Sequence, residues 1–433
     1  MFRFLHTADI HLDSPLRGLE RYEGAPVDEL RGATREALRN LVNTAISEGV
    51  NFLLIAGDLY DGDWKDYQTG LFFAKEMSKL REAGIRVYIV FGNHDAASQI
   101  TKKLGNIPSN VHHFSNRKPK TEIIEDLGVA IHGQSFSKRI VTENIAIAYP
   151  EAWTGYFNIG LIHTSFTGRE GHEPYAPCTM DDLLSKNYDY WALGHVHKRE
   201  VLHEDPWIIF PGNIQGRHIK EPGPKGCTLV TVRDEGSVVM EHRDLDVLRW
   251  ELCEVDGSGS QSPEEIIERA RFEIRKRVDG NDARPLALRV FISGRCKAHN
   301  ELTANQERWA NEIRAASTDE SGGRVWIEKI KINTKSPIDL QKMAERKDPF
   351  GSLLRFIREI DLSLAHLGEP SDDVVQIMKF LDGDFVKLKA KLPSDIFQED
   401  ELPDFQNPET LRHMLEDVKQ MLVSQLLSKG DPR

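Results

Sequence analysis

A chain of 433 residues, 39% apolar and 29% charged, has the balance of a soluble globular protein and length for two or three domains. Its formal charge of −12 and pI near 5.8 exclude a protein that grips nucleic acid by bulk charge, so any such contact must be local or supplied by metal ions or a partner. No run of about 18 apolar residues exists to span a membrane, and Cys178, Cys227, Cys253 and Cys296 lie too far apart for a zinc ribbon or a C-x-x-C redox pair.

In chain order, Phe2 to His6 is a short apolar strand followed by Asp9-Ile10-His11. The sequence opens directly on this strand and lacks the long apolar stretch of a signal peptide; with the sparse cysteines this leads us to expect a cytoplasmic protein. Arg31 to Ser47 reads as a helix with Ala37, Leu38, Leu41 and Val42 on one face. Leu53-Leu54-Ile55-Ala56-Gly57-Asp58 is a buried strand ending in a carboxylate, and the pattern around it organises the rest. Asp66 to Glu82 is a second helix, with Gly84 at its C-cap. Arg86 to Phe91 runs into Gly92-Asn93-His94-Asp95.

After Pro108 the texture changes to short strands: Val111 to Phe114, Thr121 to Glu125 and Val129 to His132. Phe157 to Ile162 delivers His163, and Tyr188 to Leu193 is followed by Gly194-His195-Val196-His197. Trp207 to Phe210, Cys227 to Arg233 and Val238 to Arg243 complete the set, the last two joined by a hairpin turn at Asp234-Glu235-Gly236. Strand–helix–strand units followed by antiparallel hairpins predict an α/β fold of two sheets packed face to face with helices outside, over 1–246. A small α+β cap domain is expected over 249–335, with strands at Trp250 to Val255, Leu286 to Ile292 and Val325 to Ile332 and helices at Glu264 to Val278 and Ala304 to Ala316. The remainder, 336–433, reads as helical and acidic: amphipathic segments at 353–360, 374–388 and 411–422, punctuated by Pro393, Pro403 and Pro408.

Five predicted strands thus carry metal-ligand residue types at one end, the end where open α/β sheets bind ligands. The collected candidates are Asp9, His11, Asp58, Asn93, His163, His195 and His197, with His94 beside them. Seven oxygen and nitrogen donors are too many for one four-coordinate zinc. They suit two cations sharing a bridge, and Asp58 can give one oxygen to each. Two cations about 3.5–4 Å apart can clamp both oxygens of a phosphoryl displacement. Histidine and carboxylate suit Mn, Fe or Zn, and spacing does not choose among them.

D-x-H, G-D, G-N-H-D, a lone His and G-H-x-H, in this order over Met1 to Asp246, is similar to the calcineurin-like metallophosphoesterases. Within them, His6-Thr7-Ala8-Asp9-Ile10-His11-Leu12-Asp13-Ser14-Pro15, Gly57-Asp58-Leu59-Tyr60-Asp61 and Phe210-Pro211-Gly212-Asn213-Ile214 resemble the SbcD-type DNA repair exonucleases. Gln215-Gly216-Arg217-His218 to Lys220-Glu221 points to the YhaO-like branch. A protein phosphatase would carry Arg-Gly after its G-D motif, where this chain has Tyr60-Asp61-Gly62.

The resemblance implies a DNA nuclease using two divalent ions, Mn2+ foremost with Fe2+ or Zn2+ as alternatives. By it, Asp9, His11 and His197 hold one ion, Asn93, His163 and His195 the other, Asp58 bridges, and His94 reaches the bound phosphate as the catalytic residue. It implies DNA as substrate and an SbcC-like coiled-coil ATPase of the ABC type as partner, received by the C-terminal helix, and it leaves a homodimer open. Asp61 and Asp95 are candidates to orient ligating histidines. Lys198, Arg199, Arg217, His218, Lys220 and Lys225 lie near the ligand edge, where they can meet backbone phosphate. Arg117, Lys118 and Lys120 read as a basic surface loop, His112-His113 as structural, and Trp64 and Tyr67 as packing at a helix start. Two other readings compete: a phosphodiesterase for small or cyclic nucleotides, and a DNA-end-binding scaffold with vestigial metals.

Overall fold

Phe4 and Leu5, like Leu53 and Leu54, are sequence neighbours that enter different cores, because successive strand side chains point to opposite faces. The computed structural model describes residues 1–14, 27–61, 67–97, 107–166, 175–282, 284–337, 343–347, 351–352 and 354–355. The chain begins with β1 (Phe2–Thr7), α1 (Val27–Ser47), β2 (Phe52–Ala56), α2 (Tyr67–Glu82), β3 (Arg86–Val90), α3 (Asn93–Ala97) and β4 (Val111–His113). Then come β5 (Lys120–Ile124), β6 (Val129–Gly133), β7 (Phe157–His163), α4 (Met180–Leu184), β8 (Tyr190–Gly194), β9 (Glu200–Glu204) and β10 (Trp207–Phe210). The hairpin β11 (Gly226–Val232) and β12 (Val238–Asp244) returns to the first sheet, Arg233 N–H donating to Ser237 O across the predicted turn at 2.9 Å.

The first sheet has the order β12-β11-β1-β2-β3-β4 and the second β5-β6-β7-β8-β10-β9. β1 to β4 are parallel, and so are β6, β7, β8 and β10, while β11 and β12 in the first sheet and β5 and β9 in the second run antiparallel to their neighbours. The parallel strands of each sheet therefore end together. The core between the sheets joins Phe4, Phe52, Leu54 and Val90 to Ile131, Ile159, Leu161, Tyr190 and Ala192. Leu5, Leu53, Ile55 and Ile89 point the other way, onto Leu38 and Leu41 of α1 and Phe73 and Met77 of α2. Trp191, Leu193, Ile208 and Phe210 line the outer face of the second sheet with Leu183 of α4. This is the expected two-sheet sandwich flanked by helices.

Phe4 stacks on Phe52 at 4.9 Å and meets Tyr190 edge-on at 5.3 Å. Phe4→Ala should cost roughly 3–5 kcal/mol of unfolding free energy in urea titration; a loss below about 1 kcal/mol would mean that the inter-sheet core closes around the gap.

β13 (Arg249–Asp256), α5 (Pro263–Asp279), β14 (Leu286–Arg295), α6 (His299–Ala304), α7 (Gln306–Ser321) and β15 (Val325–Lys335) follow, with a sheet of order β13-β14-β15. The chain parts into two compact units. One holds Met1–Cys253, Ile274–Arg289 and Ser317–Lys329; within it Arg249 pairs with Asp246 at 2.9 Å and Asp244 at 2.6 Å. The other holds Glu254–Glu273, Val290–Ala316 and the chain from Ile330; within it His299 Nδ1 meets Thr334 Oγ1 at 3.0 Å.

Three elements differ from expectation. β9 is an edge strand, Glu-Val-Leu-His-Glu, whose polar ends hide it from an apolar-run criterion. α4 is five residues long, too short for periodicity, and is marked instead by a capping box between Thr179 and Asp182. The helix expected at Ala304 to Ala316 is α7, which starts at Gln306 and runs on to Ser321, and the short helix α6 before it was not expected. The three tail helices lie almost wholly outside the described residues, as do Trp64 and the side chain of Tyr67. No described helix is long and apolar enough to cross a membrane.

Candidate metal centre

The loops after β1 and β2 continue side by side beyond their strands. Asp9 N–H donates to Gly57 O at 3.0 Å, His11 N–H to Asp58 O at 3.0 Å and Leu12 N–H to Leu59 O at 2.9 Å. This zipper sets Asp9 and His11 against Asp58. It also bends the backbone: Asp9, His11, Asp58 and His195 have φ of 50°, 44°, 52° and 110°, a region costly for residues with a Cβ. Two glycines make room for His163. A Cβ at Gly92 would run into Asp58 Oδ1 and His163 Nε2, and one at Gly57 into His163 Nδ1.

All eight residues singled out in the sequence meet at the ends of β1, β2, β3, β7 and β8. Asp9, His11 and His197 form one group whose ligand atoms lie within 4.8 Å of one another; Asp58, His163 and His195 form a second. Asp58 Oδ2 lies 3.9 Å from His11 Nε2 and 3.5 Å from His163 Nε2, so it faces both groups. Asn93 Oδ1 sits 3.0 Å from His163 Nε2. His163 Nδ1 donates to Ala56 O at 2.9 Å, which turns Nε2 into the site. His195 contributes its backbone N–H to Asp9 Oδ2 at 3.0 Å.

These donors fit divalent cations. Asp9 Oδ1 is buried with no hydrogen-bond partner, 3.8 Å from His197 Nε2. His11 Nε2 and His197 Nε2 approach to 3.2 Å. Burial, and then Asp58, push the Asp9 carboxyl well above the usual range, while burial holds His11 and His163 below the usual imidazole range. Buried carboxylates among neutral imidazoles lack positive charge, and neutral imidazole is the form that ligates. Among the described residues every three-residue group of this kind lies in this cluster.

Neighbouring groups hold the cluster in place. His94 Nδ1 meets Asp61 Oδ1 at 2.7 Å, and its backbone N–H donates to Asp58 Oδ1 at 3.0 Å. Burial lowers His94, but the bond to Asp61 and the charge of Asp58 raise it more, so it titrates above an ordinary imidazole. Burial likewise pushes Asp61 up, but His94, Ser14 and Arg217 bring it down to about 2. Asp95 accepts backbone N–H groups from Leu59, Tyr60 and Gly92 at 3.1, 2.9 and 3.0 Å, tying the loops after β2 and β3 together.

Glu221 was not singled out as a site residue from the sequence. Its Oε1 receives His197 Nδ1 at 2.6 Å, and its Oε2 accepts from Asn213 Nδ2 and from Arg217 N–H at 2.9 Å each. It fixes the tautomer that leaves His197 Nε2 for the site. Its only sequence signal is an acid at the end of the Gln215–Glu221 run, 24 residues from its partner. Glu221→Gln should weaken cation binding about 10–100-fold by calorimetric titration of metal-free protein; unchanged affinity would leave Glu221 a loop anchor only.

Of the basic residues near the ligand edge, Arg217 reaches the site: its guanidinium lies 3.9 Å from Asp61 and 3.4 Å from Glu221. Lys225 is buried and donates to His197 O at 3.0 Å. Lys198, His218 and Lys220 are exposed, and Arg199 is half-buried. His112 stacks on Tyr88, while His113 lies exposed beside Phe91.

Comparison with known proteins finds a match to the calcineurin-like phosphoesterase family over residues 2–199 and to the middle domain of metallophosphoesterase YhaO over 250–335. The protein named uncharacterized metallophosphoesterase YhaO of Bacillus subtilis is 34% identical over 378 residues, 83% of this chain and 88% of that one. The DNA double-strand break repair protein Mre11 of Methanopyrus kandleri is 25% identical over 78% of this chain and 74% of its own. That of Sulfurisphaera tokodaii is 24% identical over 69% and 76%.

Proposed function

This chain belongs to the calcineurin-like phosphoesterases, and from that membership we propose that it is a metal-dependent DNA nuclease, the hydrolytic subunit of a DNA repair or end-processing complex. The observation that carries the reading is the convergence of Asp9, His11, Asp58, Asn93, His163, His195 and His197 from five strand ends, with His94 held on Asp61 at its rim. Similarity to proteins named for double-strand break repair supports DNA as the ester hydrolysed. We take 1–246 as the hydrolytic domain, 249–335 as a cap that contacts DNA, and 336–433 as the segment that docks an ATPase.

Asp9, His11 and His197 would hold one cation, Asn93, His163 and His195 the other, and Asp58 both. When bound, two such ions supply Lewis acidity that activates water and steadies charge on phosphate; Mn2+ is our first choice, with Fe2+ and Zn2+ also suited to these donors. The chain's own groups do the rest. Asp61 fixes His94 through Nδ1, which leaves Nε2 to hold a proton toward a phosphate or leaving oxygen. Arg217, kept in place by Asp61 and Glu221, adds a fixed positive charge at the rim.

The test is full-length protein, stripped and reloaded with Mn2+, on end-labelled linear duplex and single-stranded DNA, beside bis(p-nitrophenyl) phosphate and a cyclic nucleotide. We expect DNA cleavage that chelation stops. Turnover of the small esters with DNA left intact would overturn the nuclease reading in favour of a small-nucleotide phosphodiesterase. The ATPase we propose is SbcC-like, with a coiled coil that receives the helix expected at 411–422. A chain ending before Pro408 should lose that partner in a pull-down; equal retention would place docking elsewhere.

A further inference from the structure

A groove of about 440 Å³ opens beside the metal centre where the ends of β3 and β4 meet those of β5 and β6, lined among others by Phe91, His113, Asn116, Lys120, Phe136 and Ser137. It adjoins the site. Asp95 and Ala96 of α3, the helix that carries Asn93 and His94, form part of its wall, and the Phe136 ring packs on His163 at 5.5 Å. Its two walls are bonded together: Phe91 N–H donates to Ser135 Oγ at 3.0 Å, Ser135 Oγ–H to Phe114 O at 2.7 Å, Ser135 N–H to Ser115 O at 3.0 Å and Phe136 N–H to Phe91 O at 2.8 Å. The groove is therefore preformed.

Its chemistry differs from the rest of an acidic chain. His113 is exposed beside the half-buried Phe91 ring, centroids 6.0 Å apart and planes tilted by 34°, which makes an aromatic platform. Lys120 lines the groove; Arg117 and Lys118 precede it, and Lys138 and Arg139 follow Ser137 on the other wall, all exposed. Of the acids nearby, Asp95 is buried and occupied by three backbone N–H groups, and Glu143 pairs with Lys138 at 3.7 Å. Asn116 and Ser137 offer hydrogen-bonding edges. A platform for a flat ring, amide and hydroxyl edges, and positive charge on both walls are the parts of a single-strand subsite, where every base can offer a π-face and the backbone tracks the charge.

We propose that this groove binds the unpaired nucleotides next to the bond being cut, with His113 and Phe91 stacking on a base and Lys118 and Lys120 meeting the backbone. The proposal rests on the nuclease reading and narrows it to single-stranded ends. A base within a duplex keeps its faces stacked on its neighbours and cannot use the platform.

The experiment is fluorescence anisotropy of a labelled single-stranded oligonucleotide and a blunt duplex with full-length protein in chelator, so that binding is read without cleavage. His113→Ala and the double variant Lys118→Glu/Lys120→Glu should each weaken single-strand binding about tenfold, with a smaller loss on duplex. The charge variant should also flatten the salt dependence. Arg233→Glu, at the β11–β12 turn, is the control and should bind as wild type. Groove variants that bind the single strand as tightly as wild type overturn the groove while leaving the nuclease reading standing. Equal losses on strand and duplex overturn the single-strand assignment. Wild-type protein that binds neither DNA also overturns the groove, while the nuclease reading stands or falls on cleavage by the Mn2+-loaded protein. Thermal melts that match wild type establish that a loss is not unfolding.

Discussion

Asp58→Asn should abolish turnover and lower the metal content of both sites at once. Asp58 is buried and faces His11 Nε2 at 3.9 Å and His163 Nε2 at 3.5 Å, one from each ligand group. The amide keeps the shape but removes the charge and one of the two oxygen donors. A ligand serving one site behaves differently: Asn93→Ala should deplete the second ion and spare the first. Elemental analysis of purified protein reads both. Two ions retained by Asp58→Asn at wild-type affinity would mean that the sites do not share this carboxylate.

His94→Ala should keep both ions and DNA binding yet lose about 10²–10⁴ in turnover, the range of general acid help. The reason is position. His94 follows Asn93, its Nδ1 is committed to Asp61 at 2.7 Å, and about a third of its side chain remains exposed where substrate would arrive. Its ring also lies within ligand distance of His11 and Asp58, so the measurement must include metal content. An ion lost with the ring would make His94 a ligand, and turnover near wild type would remove it from the chemistry.

The ends of the parallel strands were legible because a buried strand is an apolar run: His163 ends β7, and Asp58, Asn93 and His195 stand within three residues after β2, β3 and β8. What depends on distant pairing was not legible. Glu221 meets His197 only because the loop after β10 folds back, held by Gln215 Nε2 on Leu248 O at 2.7 Å and Trp250 Nε1 on Gly216 O at 3.0 Å. The left-handed backbone of Asp9 and His11 follows from bonds to Gly57 and Asp58, nearly fifty residues on, which no local propensity encodes. His113 read as structural because the sequence shows no metal-ligand partner for it; its pairing at the sheet edge leaves it exposed beside Phe91.

The most direct test of the shared centre is electron paramagnetic resonance of full-length protein loaded with Mn2+ to saturation. Two ions joined through the Asp58 carboxylate should give an exchange-coupled spectrum at two ions per chain, and one that collapses in Asp58→Asn. A spectrum of isolated Mn2+ at saturation, or a single ion per chain, would contradict the two-cation reading of this cluster.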